Sequence, residues 1–272
     1  MSTQNFPQTL MMVVAIMGLA ALVEAFAPLR AASAQPDGRR RTNLAMTAIT
    51  LLFNWALTSA IALFLASSQG GPALLARAGL PPLLQALAGF VVLDFAFGYL
   101  SHRLMHQWPL LWRIHRVHHS DPFVDVTTTY RNHPAESAWR YLFVVIPGWV
   151  LGVPATTMAA YRLVSALNAV FEHANVCLNA RLDSLLTWLW VTPNMHKVHH
   201  SRDAAQTDTN YSNILSFPDR LLGTFTPSAA ALHVEYGLDD VGEDEGTLGG
   251  LLAMPFRSAR SPGAAVMRSA RA

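Results

Sequence analysis

The sequence has little charge, one cysteine and one lysine. Charged residues make up 13% of the 272 residues, against about a quarter in a typical soluble domain. The single cysteine, Cys177, excludes an intramolecular disulfide framework and a cysteine-rich metal site. The net charge is only +2, and Lys197 is the only lysine, which argues against nucleic acid as a partner. Any metal ion must therefore be bound by His, Asp or Glu.

Long apolar runs accompany this scarcity of charge, and hydrophobic residues make up 52% of the chain. Glu24 is the only charged residue in the first run and Asp94 the only one in the third. The five runs are 8–29, 44–67, 80–101, 139–153 and 155–172. The first three are long enough to cross about 30 Å of hydrocarbon as helices. The last two predict either two tilted helices or a hairpin that does not fully cross. We therefore predict an all-α integral membrane bundle with about four to five membrane helices.

The arginines predict how this bundle is oriented. Four of them lie between the first two runs, whereas Arg77 is the only one between the second and third. The positive-inside rule then puts the 30–43 loop in the cytoplasm. If each of the first three runs crosses the membrane once and the last two form a hairpin, the histidine-rich segments and the C-terminus lie on the same side. The histidine-rich segments would then form a helical cap there. The expected location is a bacterial inner membrane.

The first run has a second possible interpretation, because Ala32-Ser33-Ala34 is similar to a signal-peptide cleavage site. However, residues 1–10 contain no Lys or Arg, and the run is longer than the usual signal-peptide core of about 7 to 15 residues. We therefore expect a retained helix.

Three regions follow from these patterns. They are an N-terminal transmembrane region at 1–79, a catalytic domain at 80–238 and a flexible C-terminal tail at 239–272. Within the second region, segment 182–192 is too short to span a membrane. Its tryptophans, Trp188 and Trp190, predict a helix at the membrane interface.

Ten of the eleven histidines lie between residues 102 and 200, and eight of them form three clusters. The clusters are His102-X3-His106, His115-X2-His118-His119 and His196-X2-His199-His200. On a helix, the first and last histidines of each cluster face the same side. Each triplet can thus supply two or three ligands to a pair of ions. Imidazoles without cysteine suit iron, zinc or copper, and eight exceed what one ion can use. We therefore predict two metal ions.

Two isolated histidines, His133 and His173, remain open as ligands from spacing alone, and His233 is expected at the surface. Carboxylates near the clusters are candidates for orienting the imidazoles, a role that ligating histidines usually need filled. An equally simple interpretation is that these carboxylates are solvated loop charges. The candidates are Asp94, Glu136, Glu172, Asp203 and Asp208.

The clusters and the residues after His200 resemble the sterol desaturase and fatty acid hydroxylase superfamily of membrane di-iron enzymes. The similarity covers about residues 90 to 238 and includes Val191-Thr192-Pro193, Asp219-Arg220 and Tyr236-Gly237-Leu238. The resemblance adds His173 to the ligand set and makes His133 a further candidate, which stays open.

This resemblance implies an oxidoreductase that uses O2 to hydroxylate or desaturate an unactivated C–H bond of a lipid. The lipid, a fatty acyl, sterol-like or related molecule, would enter from the bilayer. Two iron ions would be the cofactors, with zinc able to occupy the site on purification. The sequence contains no dinucleotide-binding loop and no cysteine cluster, so a separate protein would supply electrons.

Three other functions compete with this one. A carotenoid-type hydroxylase also uses clustered histidines, but the segment after His200 argues against it. A histidine-rich membrane protein that binds or transports metal would need polar residues deep within several runs, and Asp94 is the only clear candidate in the third. A zinc-dependent membrane hydrolase would need fewer histidines and a glutamate base.

Overall fold

The computed structural model describes residues 6–31, 35–67, 70–242 and 246–257. Those residues form helices and two isolated β-bridges, with no β-strand, which confirms the predicted all-α fold. The helices are α1 (Phe6–Phe26), α2 (Arg39–Ser67), α3 (Leu74–Arg77), α4 (Pro82–Leu93), α5 (Ser101–Gln107), α6 (Pro109–His119), α7 (Pro134–Leu151), α8 (Ala155–His173), α9 (Ala180–Leu186), α10 (Pro193–His199), α11 (Ala204–Thr207), α12 (Phe217–Leu221) and α13 (Leu248–Ala253). Residues 32–34, with the cleavage-site pattern, and 258–272 of the tail lie outside the described residues.

Two helical stretches, Arg39–Leu63 and Pro82–Gln107, are long and apolar enough to cross a membrane, judged by length and composition over the described residues. Leu10–Phe26 is a shorter apolar helix. Helices α7 and α8 have 18 and 19 residues, but both carry charged side chains that lower their mean hydropathy. The described part of the chain therefore contains two candidate spans, fewer than the four to five membrane helices predicted.

The second candidate span, Pro82–Gln107, is one continuous helix, the central helix. It is made of α4, a π-helical segment at Asp94–Leu100, and α5. Such π-helical segments occur frequently at functional sites. Here Asp94 accepts a hydrogen bond from the backbone N–H of Leu215 at 2.9 Å. A Cβ at Gly98 would lie 3.0 Å from the Cβ of Asn213, so glycine allows the following loop to pack closely. The segment thus fixes the 208–216 loop against the central helix.

Apolar clusters hold the long helices around this central helix. One cluster joins α4, the π-helical segment, α7 and α8 through Leu93, Phe97, Val144 and Tyr161. The rings of Phe97 and Tyr161 meet edge to face, with centroids 6.1 Å apart. A second cluster packs α1 on α8 and includes Val170. Burying these side chains is the main source of stability of the bundle.

Glu24, the one charge in the first apolar run, is buried and has a structural role. Its Oε1 accepts hydrogen bonds from the backbone N–H groups of Val126 and Asn175, each at 2.8 Å. These bonds attach α1 to the loop after α6 and to the end of α8. The carboxylate thereby satisfies two buried donors.

A buried polar network connects the start of α2 to the loop after α6. Asp121 accepts hydrogen bonds from Arg39 at 2.8 Å, Asn43 at 2.7 Å and Thr128 at 2.8 Å. Arg39 also pairs with Asp125, and Arg131 donates to Asn43 at 3.0 Å. Because Asp121 follows α6 directly, this network fixes the end of the helix that carries the second histidine cluster.

Part of the segment from 239 onward differs from the predicted flexible tail. Helix α13 and the turn Met254–Phe256 pack on α2 and α6. Leu251 and Met254 are fully buried against Met46 and Val117. Charged and small residues dominate the composition of this stretch, so its sequence gives little indication of the few apolar side chains that anchor it. Upstream, α9 ends at Leu186, and Trp188 and Trp190 after it are exposed.

The polar network predicts the effect of replacing Arg39. Arg39→Ala leaves the buried Asp121 without its ion-pair partner and leaves Asp125 with Arg40 alone, 3.4 Å away, so the free energy of unfolding should fall by about 3 to 5 kcal/mol. Thermal or denaturant unfolding of the purified protein in detergent micelles measures the change. Arg40→Ala is the matched control, because the Arg40 side chain is 55% exposed and should matter little. Equal losses in the two variants would contradict this interpretation of the network.

Candidate metal centre

Nine histidines from four helices meet where the central helix, α6, α8 and α10 converge. They form two groups, and within each group the candidate ligand atoms lie within 4.8 Å of one another. The first group is His102, His106, His115, His119 and His199, and the second is His118, His173, His196 and His200. All nine are buried. The structure therefore brings together eight histidines singled out by spacing and His173, which the family resemblance added.

The two histidine triplets contribute to both groups. In α6, His115 and His119 belong to the first group, whereas His118 belongs to the second. In and just after α10 the assignment is reversed: His196 and His200 are in the second group and His199 is in the first. Residues i and i+4 share a helix face, and residue i+3 projects beside them. The spacing thus distributes each triplet over two neighbouring sites.

The Nε2 atoms in the second group converge on one point. His173 Nε2 lies 3.0 Å from His118 Nε2, 3.1 Å from His196 Nε2 and 3.3 Å from His200 Nε2. Nitrogens bound at about 2.1 Å to one ion lie roughly 3.0 to 3.4 Å apart. A single imidazole lone pair cannot satisfy three such neighbours by hydrogen bonding. The spacing therefore fits an ion at the centre.

The first group has the same arrangement. His115 Nε2 lies 3.0 Å from His102 Nε2 and 3.2 Å from His119 Nε2. The Nε2 atoms of His106 and His199 are buried without a hydrogen-bond partner among the described residues. An ion bound by these atoms would satisfy lone pairs that are otherwise costly to bury.

In four of these imidazoles the opposite ring nitrogen, Nδ1, makes an orienting hydrogen bond to a carbonyl or carboxylate oxygen. Backbone carbonyls accept from three of them: Tyr211 O from His102 at 2.7 Å, Thr209 O from His199 at 2.8 Å and Ala169 O from His173 at 2.7 Å. A carbonyl can only accept, so Nδ1 carries the proton and the Nε2 lone pair points to the centre.

Two of the candidate carboxylates lie beside the Nδ1 atoms of further rings: Asp208 hydrogen-bonds His106, and Glu136 makes an ion-pair contact with His115 without hydrogen-bond geometry. His106 Nδ1 lies 3.2 Å from Asp208, and His115 Nδ1 lies 3.1 Å from Glu136. Glu172 lies 3.8 Å from His196 and 3.9 Å from His173.

The other two candidate carboxylates have different roles. Asp94 accepts from the backbone of Leu215, and Asp203 caps α11 by accepting from the N–H of Ala205 at 3.0 Å. Sequence spacing could not separate them from Glu136 and Asp208.

Burial also keeps many of the clustered histidines in the neutral form, which is the form that binds metal. Removal from water, followed by the proximity of other imidazoles, lowers the pKa of six of them well below the usual range. These are His115, His118, His119, His196, His199 and His200. A neutral imidazole is the form that ligates a transition metal. The donor set of the centre therefore fits first-row transition ions.

His133, the remaining candidate ligand, lies outside both groups. It precedes α7, and its Nδ1 accepts a hydrogen bond from the N–H of Ala135 at 3.2 Å. A histidine before proline can serve as a helix cap in this way, and the motif His133-Pro134-Ala135-Glu136 brings Glu136, not His133, to the centre. His233 is exposed, as predicted.

The 208–216 loop supplies carbonyls that sequence inspection could not identify, because any residue type carries one. Asp219 holds this loop: it accepts from the N–H groups of Tyr211 and Ser212, each at 2.9 Å, and from the Thr224 hydroxyl at 2.7 Å. Asn210, in the left-handed region at φ 55°, completes the turn. The Asp219-Arg220 pair was singled out by resemblance, and its position explains how it supports the centre.

The fatty acid hydroxylase family model matches residues 86–224. The chain belongs to this family. The match begins in α4 and includes all nine histidines of the two groups together with the loop that Asp219 holds.

Curated relatives are lipid hydroxylases and monooxygenases by name. The chain is 34% identical over 145 residues to the ornithine lipid hydroxylase OlsE of Rhizobium tropici, covering 53% of this chain and 43% of that one. It is 29% identical over 152 residues to the alkylglycerol monooxygenase of Homo sapiens, covering 56% and 32%. The methylsterol monooxygenase erg25B of Aspergillus fumigatus is 27% identical over 161 residues, covering 54% and 50%. The chain thus spans half or less of the length of these relatives. No solved structure matches it.

The support from Asp219 leads to a prediction. Asp219→Ala leaves two backbone N–H groups buried without acceptors, so the free energy of unfolding should fall by about 2 to 4 kcal/mol. Metal content should fall as well, because the carbonyls that orient His102 and His199 lose their support. Asp203→Ala, at an exposed cap, is the control and should retain metal. Denaturant unfolding and elemental analysis measure the two effects, and full metal content in Asp219→Ala would contradict the prediction.

Proposed function

We propose that this protein is a membrane di-iron oxygenase that hydroxylates or desaturates a C–H bond of a lipid with O2. The two converging histidine groups are the observation that carries this proposal. The family membership and the names of the relatives support lipid oxidation. The nine clustered histidines are the proposed ligands, and the catalytic unit is proposed to span residues 80–238.

Iron is the proposed metal because imidazole-rich donor sets suit it and the reaction needs a redox-active ion. When bound, the pair of ions supplies the reductive activation of O2. Hydroxylation takes one O2, two electrons and two protons, placing one oxygen atom on the substrate and the other in water. Zinc could fill the same donors on purification but cannot supply electrons.

The chain's own residues hold the site ready for this chemistry. Carbonyl and carboxylate acceptors on Nδ1 keep the rings of His102, His106, His173 and His199 in a single tautomer and orientation, so little rearrangement of these rings accompanies metal binding. The packed helices limit water at the centre, which protects reactive species from side reactions. A separate redox protein is the proposed electron donor.

The position of the centre relative to the bilayer is part of the proposal. His102 and His106 lie in the last turns of the candidate span Pro82–Gln107. Many apolar side chains on α1, α2, α4 and α7 are exposed, which suits contact with lipid tails. We place α1, α7 and α8 with the two candidate spans in the membrane of a bacterial cell. The arginines near the start of α2 favour a cytoplasmic cap, C-terminus and histidine centre.

Metal analysis tests the centre directly. The purified protein should contain close to two iron ions per chain after anaerobic reconstitution with ferrous ion, since the two groups are separate. His118→Ala and His199→Ala, one from each group, should each lose about one ion or more. His133→Ala is the control and should keep the wild-type content. One ion per wild-type chain would contradict the di-metal proposal.

Cells that express the protein are grown in the presence or absence of O2, and a comparison of their lipid extracts tests the activity. We expect lipid species heavier by one oxygen atom, or lighter by two hydrogens, only with O2 present, and labelled oxygen from O2 in any alcohol formed. His118→Ala and His199→Ala should abolish these species while still inserting into the membrane. A product formed without O2, or no product with a confirmed electron donor present, would contradict the proposal.

A further inference from the structure

A cavity of about 100 Å³ lies between α2, α7 and α8 and ends on the histidine centre. His102 of the first group and His118, His173 and His196 of the second line its inner end. A molecule in this cavity would therefore touch both candidate metal sites. Its volume has room for a group of several heavy atoms rather than for a long acyl chain.

Two arginines face this cavity from different helices, Arg140 from α7 and Arg162 from α8. Their Cζ atoms lie 4.5 and 4.8 Å from the ring centroid of Phe97, which also lines the cavity. Both cations therefore contact the same aromatic ring and line the same cavity. Two like charges that line one cavity favour an anion between or beside them.

The described contacts leave much of both guanidinium groups available. Arg162 donates from Nη2 to the Tyr141 hydroxyl at 3.2 Å, and the described residues include no carboxylate within ion-pair distance of it. Arg140 approaches Glu136 at 3.5 Å, and its Nε is buried without a hydrogen-bond partner in the described part of the chain. A guanidinium has five N–H donors, and its planar arrangement suits carboxylate and phosphate oxygens.

The nearby acids also face the histidines, and among the described carboxylates only Glu136 pairs with either of these cations, at 3.5 Å from Arg140 Nη1. Glu136 is shared between Arg140 and His115 Nδ1, and Glu172 accepts from Asn168 at 3.2 Å while lying beside His173 and His196. Bound metal ions would add further positive charge at the inner end. Arginines on apolar helices are costly, and they usually mark a ligand pathway or binding site.

We infer that this cavity binds the anionic head of the lipid substrate, a carboxylate or phosphate, through Arg140 and Arg162. The inference rests on the proposed lipid oxidation and specifies its substrate class. It requires the oxidised carbon to lie a few bonds from the anion, at the ring edges of His118, His173 and His196. The acyl chain extends from the cavity toward the bilayer.

Binding to the metal-loaded, full-length protein in detergent micelles tests this inference without turnover. The probes share a palmitoyl chain: N-palmitoylglycine carries a carboxylate, lysophosphatidic acid a phosphate, and monopalmitoylglycerol no charge. The wild-type protein should bind at least one anionic probe more tightly than the neutral one and be stabilised by it against heat. Preference for either anion supports the inference and identifies the anion. Equal affinity for all three probes would overturn it.

Replacing Arg162 tests whether it binds the anionic probe, while the metal content shows whether the histidine centre is intact. Arg162→Met removes the charge and keeps an unbranched side chain of similar helix propensity. It should weaken anionic-probe binding by about ten-fold to a hundred-fold and leave the metal content unchanged. Arg181→Met, at an exposed position outside the cavity, should bind as the wild type does. Unchanged anion binding in Arg162→Met would overturn the inference.

A second variant covers the case in which Arg162→Met does not fold. Ala166 lines the cavity, so Ala166→Leu fills space without changing charge and should also weaken anion binding. Unchanged binding there would overturn the inference. Anion-selective binding without any O2-dependent product would contradict only the proposed function, whereas a product with unselective binding would contradict only this inference.

Discussion

The hydrogen bonds from histidine Nδ1 to buried oxygen atoms are the interaction on which the rest of the centre depends. They decide which ring nitrogen keeps a lone pair and where it points, for His102, His173 and His199 among others. The acceptors lie on different segments, the end of α8 and the loop after α11. A candidate metal site of this kind therefore requires α8 and the 208–216 loop to be folded before the histidines are correctly placed.

The remaining architecture supports those acceptors. Asp219 and the π-helical segment around Asp94 hold the loop that presents carbonyl oxygens. The Asp121 network holds the end of α6, and Glu24 attaches α1 to the same region. Lys197, the only lysine, is buried in α10, and its Nζ donates to the Ala174 carbonyl at the end of α8. Burial lowers the pKa of this lysine to about 7. These buried polar groups near the centre thus hold helices and loops in position.

Much of the centre could be predicted from the sequence because helical spacing and ligand chemistry are both local. The i, i+3 and i, i+4 histidines needed only a helix to bring them together, and Glu136 and Asp208 were reasonable partners. His133 illustrates the limit: spacing could not tell a helix cap from a ligand, since only the path of the chain before α7 separates the two. The backbone carbonyls at Tyr211 and Thr209 carry no side-chain signal at all.

The fold, like the metal centre, could be predicted where local sequence patterns decide the structure and not where long-range packing does. Apolar runs predicted the helices, but they could not give the number of crossings, because Arg140 and Arg162 lower the hydropathy of α7 and α8. Long-range packing also decides the outcome for residues 246–257, where two apolar side chains, Leu251 and Met254, anchor a short helix.

The division of each histidine triplet between two groups has a consequence for how the centre assembles. Helices α6 and α10 each contribute histidines to both groups, so neither group is built from helices of its own. Successive helix residues differ by about 100° in direction, so the gap between the two sites follows from the rotation between positions i+3 and i+4. An ion bound by one group would therefore also restrain the helices that carry the other group. The spacing between the two groups is in this sense a property of α-helical geometry itself.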